Sequence, residues 1–217
     1  MHILITICAR GGSKGIPGKN IKIINGIPLI VYTIKLAKKI AESFGVSSRY
    51  ERPSFLATDS AGKIDTVNHV LLYEEKLANN KFNFILDLDV TSPLRTIEDI
   101  ENALNLLLNK PDAKNLFSVN PAARNPYFNM VEIKNNKVSL IKKFHKIRYF
   151  SRRQSSPKVF DLNGSIYIWK RSRLLKSDSL FSKNTNVYIM PQSKSIDIDS
   201  YFDLNLIKYL LKKNINE

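Results

Sequence analysis

Ile3-Leu4-Ile5-Thr6-Ile7-Cys8 followed by Ala9-Arg10-Gly11-Gly12-Ser13-Lys14-Gly15-Ile16-Pro17-Gly18-Lys19-Asn20 decides the fold. The first six residues are a short, mostly β-branched apolar run, the pattern of a strand buried on both faces of a parallel sheet. The next twelve hold four glycines and three cations. Glycines let backbone amides converge on an anion, and Arg10, Lys14 and Lys19 add charge that compensates a triphosphate. The loop matches neither G-x-x-x-x-G-K-[ST] nor G-x-G-x-x-G, so its glycine content alone leaves both a phosphate cradle and a tight turn open.

Working outward, apolar residues recur at helical spacing from Pro28 to about Phe44, with Pro28 suited to a first turn. Residues 45–63 hold no sustained period and read as loop, and Ile64 to Leu77 reads as a second amphipathic helix. FNFILDL (82–88) is another buried-strand run, followed by a helix over Ile97 to Leu108 and a strand over Leu116 to Val119. Alternating strands and helices predict an α/β fold: a parallel sheet with helices on both faces. From Asn125 to about Lys158 the texture changes to short extended pieces, with a hairpin turn predicted at Asn135-Asn136 and a basic aromatic stretch FHKIRYFSRR (144–153). A strand over Ser165 to Trp169, a helix near Leu174, a strand over Val187 to Met190 and a helix over Tyr201 to Lys213 complete the pattern.

The 217 residues suffice for one α/β domain with a sizeable core and are too few for two of ordinary size. At 43% apolar and 24% charged the composition is that of a globular chain. A net charge of +15 fits nucleic acid, an anionic membrane or a small polyanionic substrate. The lysines are scattered (Lys35, Lys38, Lys39, Lys208, Lys212, Lys213), which reads as solvated helix faces. One cysteine and three histidines exclude an internal disulfide and a Cys/His metal cluster. The first apolar stretch is too short to span a membrane and runs directly into the loop, so it reads as a core strand of a cytoplasmic protein.

Two carboxylate pairs stand out. Asp87 and Asp89 close a central strand, where open α/β sheets place their ligands, and Asp197 and Asp199 alternate in Ile196-Asp197-Ile198-Asp199. Residues two apart in a strand share a face, so either pair can aim two carboxylates at one hard cation, or can cap a turn.

Together these features resemble the acylneuraminate cytidylyltransferases, the CMP-nonulosonate synthetases, over nearly the whole chain. The resemblance rests on ICARGGSKGIPGKNIK (7–22), ERPSFLATD (51–59), DVTSPLR (89–95), ARNPYFNMVE (123–132), RRQSSPKVFDLNGSIYI (152–168) and SIDIDSYFDL (195–204), in that order. It implies a Rossmann-like, three-layer nucleotidyltransferase fold with a mainly parallel sheet, formed by residues 1–217 as one domain. Residues of about 125–158 would supply a small arm that swaps into a homodimer. It further implies transfer of CMP from CTP to an acidic nine-carbon sugar, in the cytoplasm, toward cell-surface polysaccharide synthesis. Arg10, Gly11, Gly12, Ser13, Lys14, Lys19 and Asn20 would hold CTP, with Arg52 near the cytosine. Arg153, Gln154 and Asn163 would fall on the sugar side. Asp197 and Asp199 would bind Mg²⁺, or Mn²⁺ in its place, with Arg10, Lys14, Lys19 and Asp199 as the catalytic set.

The chain departs from that pattern at two places. Many members have Gln-Pro before Thr-Ser-Pro where this chain has Asp89-Val90, which adds Asp89 as a candidate metal ligand. Members also usually carry a strand and a short helix, with a Ser-Thr-Asp type motif, before the segment matching Ile40 to Pro53, and no counterpart is found here. Competing readings are a CMP-octulosonate synthetase and, from another class, a catalytically impaired or basic RNA-binding regulatory homologue. Under the favoured reading no nucleic acid or membrane is a partner.

Overall fold

The computed structural model describes residues 1–10, 12–40, 50–144, 149–176 and 178–213. Its elements in chain order are β1 (Ile3–Thr6), β2 (Ile23–Ile24), β3 (Ile27–Pro28), α1 (Leu29–Ile40), α2 (Lys63–Ala78), β4 (Phe84–Leu88), α3 (Ile97–Leu108), β5 (Asn115–Pro121), β6 (Val131–Lys134), β7 (Lys137–Leu140), β8 (Phe160–Lys170), α4 (Arg171–Leu174), β9 (Thr185–Ile189) and α5 (Tyr201–Lys213). Helix α3 starts where predicted because Thr96 and Asp99 form a reciprocal capping box. Pro28 lies in β3 rather than in the first helical turn, and the helix begins one residue later.

The main sheet has the order β1-β4-β8-β5-β9. Strand β1 runs parallel to β4, and β5 parallel to β9. Strand β8 lies between β4 and β5 and is antiparallel to both. The sheet is therefore mainly parallel, as expected, with one reversed strand at its centre that the sequence pattern did not single out. Alternating apolar residues cannot reveal direction, because buried parallel and antiparallel strands present the same pattern. Beyond β1 no further strand joins the sheet among the described residues. Residues 41–49, which follow α1 near the point where the resemblance implies an additional strand and short helix, lie outside the described residues.

Three layers follow from the two-residue period of the strands. Leu86, Leu88, Leu116, Ile166 and Ile168 face α1 and α3 through Ala37, Ile100, Ala103 and Leu107. Ile85, Phe117, Val119, Tyr167 and Trp169 face α2 through Ile64, Val67 and Leu71. A third cluster joins Ile16 and Ile24 to Leu29, Val90, Ile198, Leu204 and Ile207. That cluster fixes the glycine loop, the end of β4 and the segment before α5 to one another.

The hairpin forms as expected: β6 and β7 pair across Asn135 and Asn136, both at positive φ. It stands apart from the main sheet and exposes Val131, Ile133 and Val138.

Candidate active site

Strands β1, β4, β5 and β9 end at one edge of the sheet, and the reversed β8 begins there, so five chain segments meet around one crevice. Ligands in open α/β sheets gather at this edge. The glycine loop leaves β1 and is tied down by its own ends. Ile16 is fully buried, Gly18 turns the chain at φ 63°, and Asn20 donates its side-chain amide to the Arg10 carbonyl at 2.9 Å. Gly12 has open space around its α-carbon, and Gly11 lies outside the described residues.

The loop faces residues 195–199, which form no strand, contrary to the alternating-strand reading of the second carboxylate pair. A backbone bond from Ile198 to the Thr91 carbonyl, at 3.1 Å, and full burial of the Ile198 side chain hold this segment instead. Lys19 joins the two sides, donating to the Ile198 carbonyl at 2.5 Å and to Asp199 Oδ1 at 3.1 Å.

The remaining loop cations are occupied by a carboxylate. Arg10 reaches Asp59 Oδ1 at 2.7 Å and Lys14 reaches Asp59 Oδ2 at 2.8 Å, and Arg10 also donates to the Thr58 carbonyl at 3.4 Å. The Lys14 hydrogen bond, with the charges of Lys14 and Arg10, holds the Asp59 carboxyl below its ordinary range. Asp59 belongs to the 51–59 block, so this block closes over the loop from the α2 side.

Asp197 and Asp199 differ sharply in environment. The Asp199 side chain is 77% exposed, whereas Asp197 Oδ1 is buried with no hydrogen-bond partner. Burial pushes the Asp197 carboxyl up, with the charges of Asp199 and Asp89 adding to it and Thr91 and Lys19 working against it. A buried carboxylate oxygen without a donor is the environment a cation satisfies. Among the described residues no three His, Cys, Asp or Glu side chains converge closely enough to ligate one ion unaided. The donor set therefore suits an ion completed by water and phosphate, the usual habit of Mg²⁺.

Asp89 stands one step behind. Its Oδ1 accepts from the Thr91 amide at 3.3 Å and hydroxyl at 3.1 Å, and its Oδ2 accepts from Lys63 at 3.3 Å. Lys63 also reaches Asp87 Oδ2 at 2.7 Å. Sequence reading missed Lys63 because it opens a helix between two matching blocks with no motif of its own. It missed Arg95 as well, whose pattern is that of a loop residue after Thr-Ser-Pro. Arg95 is 2% exposed and donates to the Ser165 carbonyl, the Thr33 hydroxyl and the Asp89 carbonyl, clamping α1, β4 and β8 beneath the crevice. Burial pulls its pKa down to about 10, so it remains charged at neutral pH.

The residues expected on the sugar side separate. Arg153 and Gln154 lie exposed in a short 3₁₀ turn ahead of β8, with Arg153 donating to the Ala122 carbonyl just beyond β5. Asn163 is buried and fully engaged: its Oδ1 accepts from Ser118 at 2.6 Å and from the Ser165 amide at 3.2 Å, and its Nδ2 donates to Ser195 at 3.1 Å. Arg52 lies on the opposite flank, close enough to Cys8 and Tyr50 to lower their pKa values against the burial that raises both. Cys8 itself is partly buried, and burial holds its thiol well above the ordinary range, so it offers no thiolate.

A glycine-rich basic loop after the first strand, facing carboxylates across the carboxyl edge of a three-layer sheet, defines a nucleotidyltransferase. A family model for cytidylyltransferases matches residues 4–210, and the chain belongs to that family. It is 40% identical over 195 residues to post-translational flagellin modification protein B of Campylobacter coli, covering 82% of this chain and 81% of the relative. It is 41% identical over 195 residues to CMP-N,N'-diacetyllegionaminic acid synthase of Campylobacter jejuni, with the same coverage of 82% and 81%. Among solved structures, CMP:2-keto-3-deoxy-manno-octonic acid synthetase complexed with CTP superposes with a TM-score of 0.67 at 16% identity, over 99% of this chain and 100% of that one. At that identity the likeness speaks for the fold alone.

Proposed function

We propose that this chain transfers CMP from CTP to the anomeric 2-hydroxyl of a nonulosonic acid, such as legionaminate or N-acetylneuraminate, releasing pyrophosphate. The observation that carries the reading is the Lys19 bridge between the glycine loop and the Asp197-Asp199 segment. It sets cations for a triphosphate directly against carboxylates suited to a metal ion. The relatives named for CMP-legionaminate synthesis supply the acceptor class.

Both substrates are anions, so the crevice must offset repulsion between a sugar carboxylate and a triphosphate before the hydroxyl reaches phosphorus. Arg10, Ser13, Lys14, Lys19 and Asn20, together with Gly11 and Gly12, bind the nucleotide. Arg52 lies toward the base, and Arg153 and Gln154 toward the sugar carboxylate. Asn163, whose amide is spent on serines, acts by holding Ser195 and the segment that leads to Asp197. Asp197 and Asp199 hold Mg²⁺, or Mn²⁺ in its place. When bound, such an ion polarises the phosphate and lowers the pKa of a nearby hydroxyl. Attack on the α-phosphorus with pyrophosphate leaving in line needs positioning and charge stabilisation rather than a protein nucleophile.

The same reading places the chain in the cytoplasm, where CTP is available, and makes the β6-β7 arm the contact with a second copy. The exposed Val131, Ile133 and Val138 of that arm support a homodimer, which light scattering tests directly. No helix among the described residues is long and apolar enough to cross a membrane.

The deciding experiment is pyrophosphate release with CTP and Mg²⁺ against a panel of nonulosonates, with octulosonate and no-sugar controls. Release with one nonulosonate, abolished by chelation, is expected. Release with octulosonate alone would reassign the acceptor. A folded protein silent across the panel but shifting unrelated RNA would favour the regulatory reading.

A further inference from the structure

Lys63 is the first residue of α2, and its side chain, 25% exposed, reaches the end of β4. It lies 2.7 Å from Asp87 Oδ2, 3.3 Å from Asp89 Oδ2 and 4.4 Å from the centre of the Tyr167 ring. The Asp87 side chain is fully buried, and its other oxygen accepts the Thr6 hydroxyl at 2.7 Å. The second oxygen of Asp89 is taken by Thr91. All four oxygens of this carboxylate pair thus have donors, whereas Asp197 Oδ1 is buried with none.

Two carboxylates at the end of β4 with a partly buried cation between them form the arrangement a divalent ion otherwise completes. A lysine ammonium at that point supplies the positive charge from within the chain and repels a second cation brought to the same oxygens. We propose that Lys63 is a tethered cation standing in for a metal ion at Asp87 and Asp89, so that this enzyme binds one divalent ion, through Asp197 and Asp199. Asp89 then serves as a positioning residue. It orders Thr91 with its carboxylate, and its carbonyl accepts from both Thr33 and Arg95. The inference rests on the cytidylyltransferase reading for the ion at Asp197, and on the Lys63 geometry alone for its own content.

The test is Mn²⁺ titration of the nucleotide-free protein, with free Mn²⁺ read by electron paramagnetic resonance and folding checked by circular dichroism. The wild type should bind one Mn²⁺ per chain, lost in Asp197→Asn and unchanged within twofold in Asp89→Asn. Lys63→Met should gain a second Mn²⁺, absent from Lys63→Arg and from the Lys63→Met/Asp89→Asn double variant. Tenfold weaker Mn²⁺ binding in Asp89→Asn would overturn the proposal, as would a folded Lys63→Met that gains no ion. Should Lys63→Met fail to fold, the Asp89→Asn arm decides by itself. A wild type that binds no Mn²⁺ while Lys63→Met binds one would uphold the lysine and remove the ion from Asp197. The two readings therefore fail separately.

Discussion

Gly15 lies against the backbone of Asp199: a β-carbon on Gly15 would stand 2.5 Å from the Asp199 carbonyl oxygen. The obstacle is backbone, which has little room to give because Ile198 beside it is bonded to Thr91 and buried in the same cluster as Ile16. Gly15→Ala should therefore part the glycine loop from the acidic segment. We expect a loss of roughly 2 kcal/mol in urea unfolding, the scale of overpacking a fixed site, with a larger loss of CTP affinity by calorimetry.

Asp59 occupies Arg10 and Lys14 as a phosphate oxygen would, so under the proposed nucleotide site CTP would displace it. Asp59→Asn should raise CTP affinity by about threefold at low salt, the scale of a weak exposed ion pair. The gain should shrink as ionic strength rises. Because pairing lowers the folded-state pKa of Asp59, its contribution to stability is present above the ordinary carboxyl range and is lost as pH falls through that lowered value. Calorimetric titrations at two salt concentrations check the first point, and thermal melts from neutral to acid pH check the second.

Asp197 carries the opposite sign. Its folded pKa is raised, so the stability tied to its proton is present below the ordinary carboxyl range and lost as pH rises through the raised value. Asp197→Asn should melt no lower than wild type at neutral pH, yet lose turnover on the order of a hundredfold or more, as when one charge-stabilising group is removed. Under the proposed metal assignment proton and metal compete for this carboxylate, so the Mg²⁺ concentration for half-maximal rate should climb as pH is lowered through its pKa.

Arg95 touches three elements and is expected to act through the fold. Arg95→Met should cost about 3 kcal/mol or more by leaving buried oxygens without donors, visible as a shifted urea midpoint. Arg10→Ala, at an exposed loop position, should leave the midpoint unchanged and weaken CTP binding about tenfold or more, the effect of losing a charge-assisted contact.

Periodicity located α3 and α5 at their observed bounds and the hairpin at Asn135-Asn136, because these signals are local: a capping box, an apolar stripe, two residues tolerant of positive φ. The glycine loop and the Asp197-Asp199 pair stood out in the sequence for the same reason, and Lys19 joins them in the fold. What escaped depends on distance through space. Lys63 meets Asp87 and Asp89 only after α2 packs on the sheet, and no spacing in the chain announces that contact. Asn163 was expected on the sugar side, and only the fold shows Ser118 and Ser195 around its amide. The reversed direction of β8 was invisible because burial, not orientation, sets its composition.

That central strand also dictates when the molecule can become whole. Strand β8 inserts between β4 and β5, which both precede it by dozens of residues, so until Lys170 has left the ribosome the sheet exists only as separated parts with open apolar edges. Such late, long-range closure slows folding and prolongs exposure to aggregation. Nascent chains stalled before Phe160 should occupy chaperones, whereas chains extended through α5 should let them go as the sheet closes.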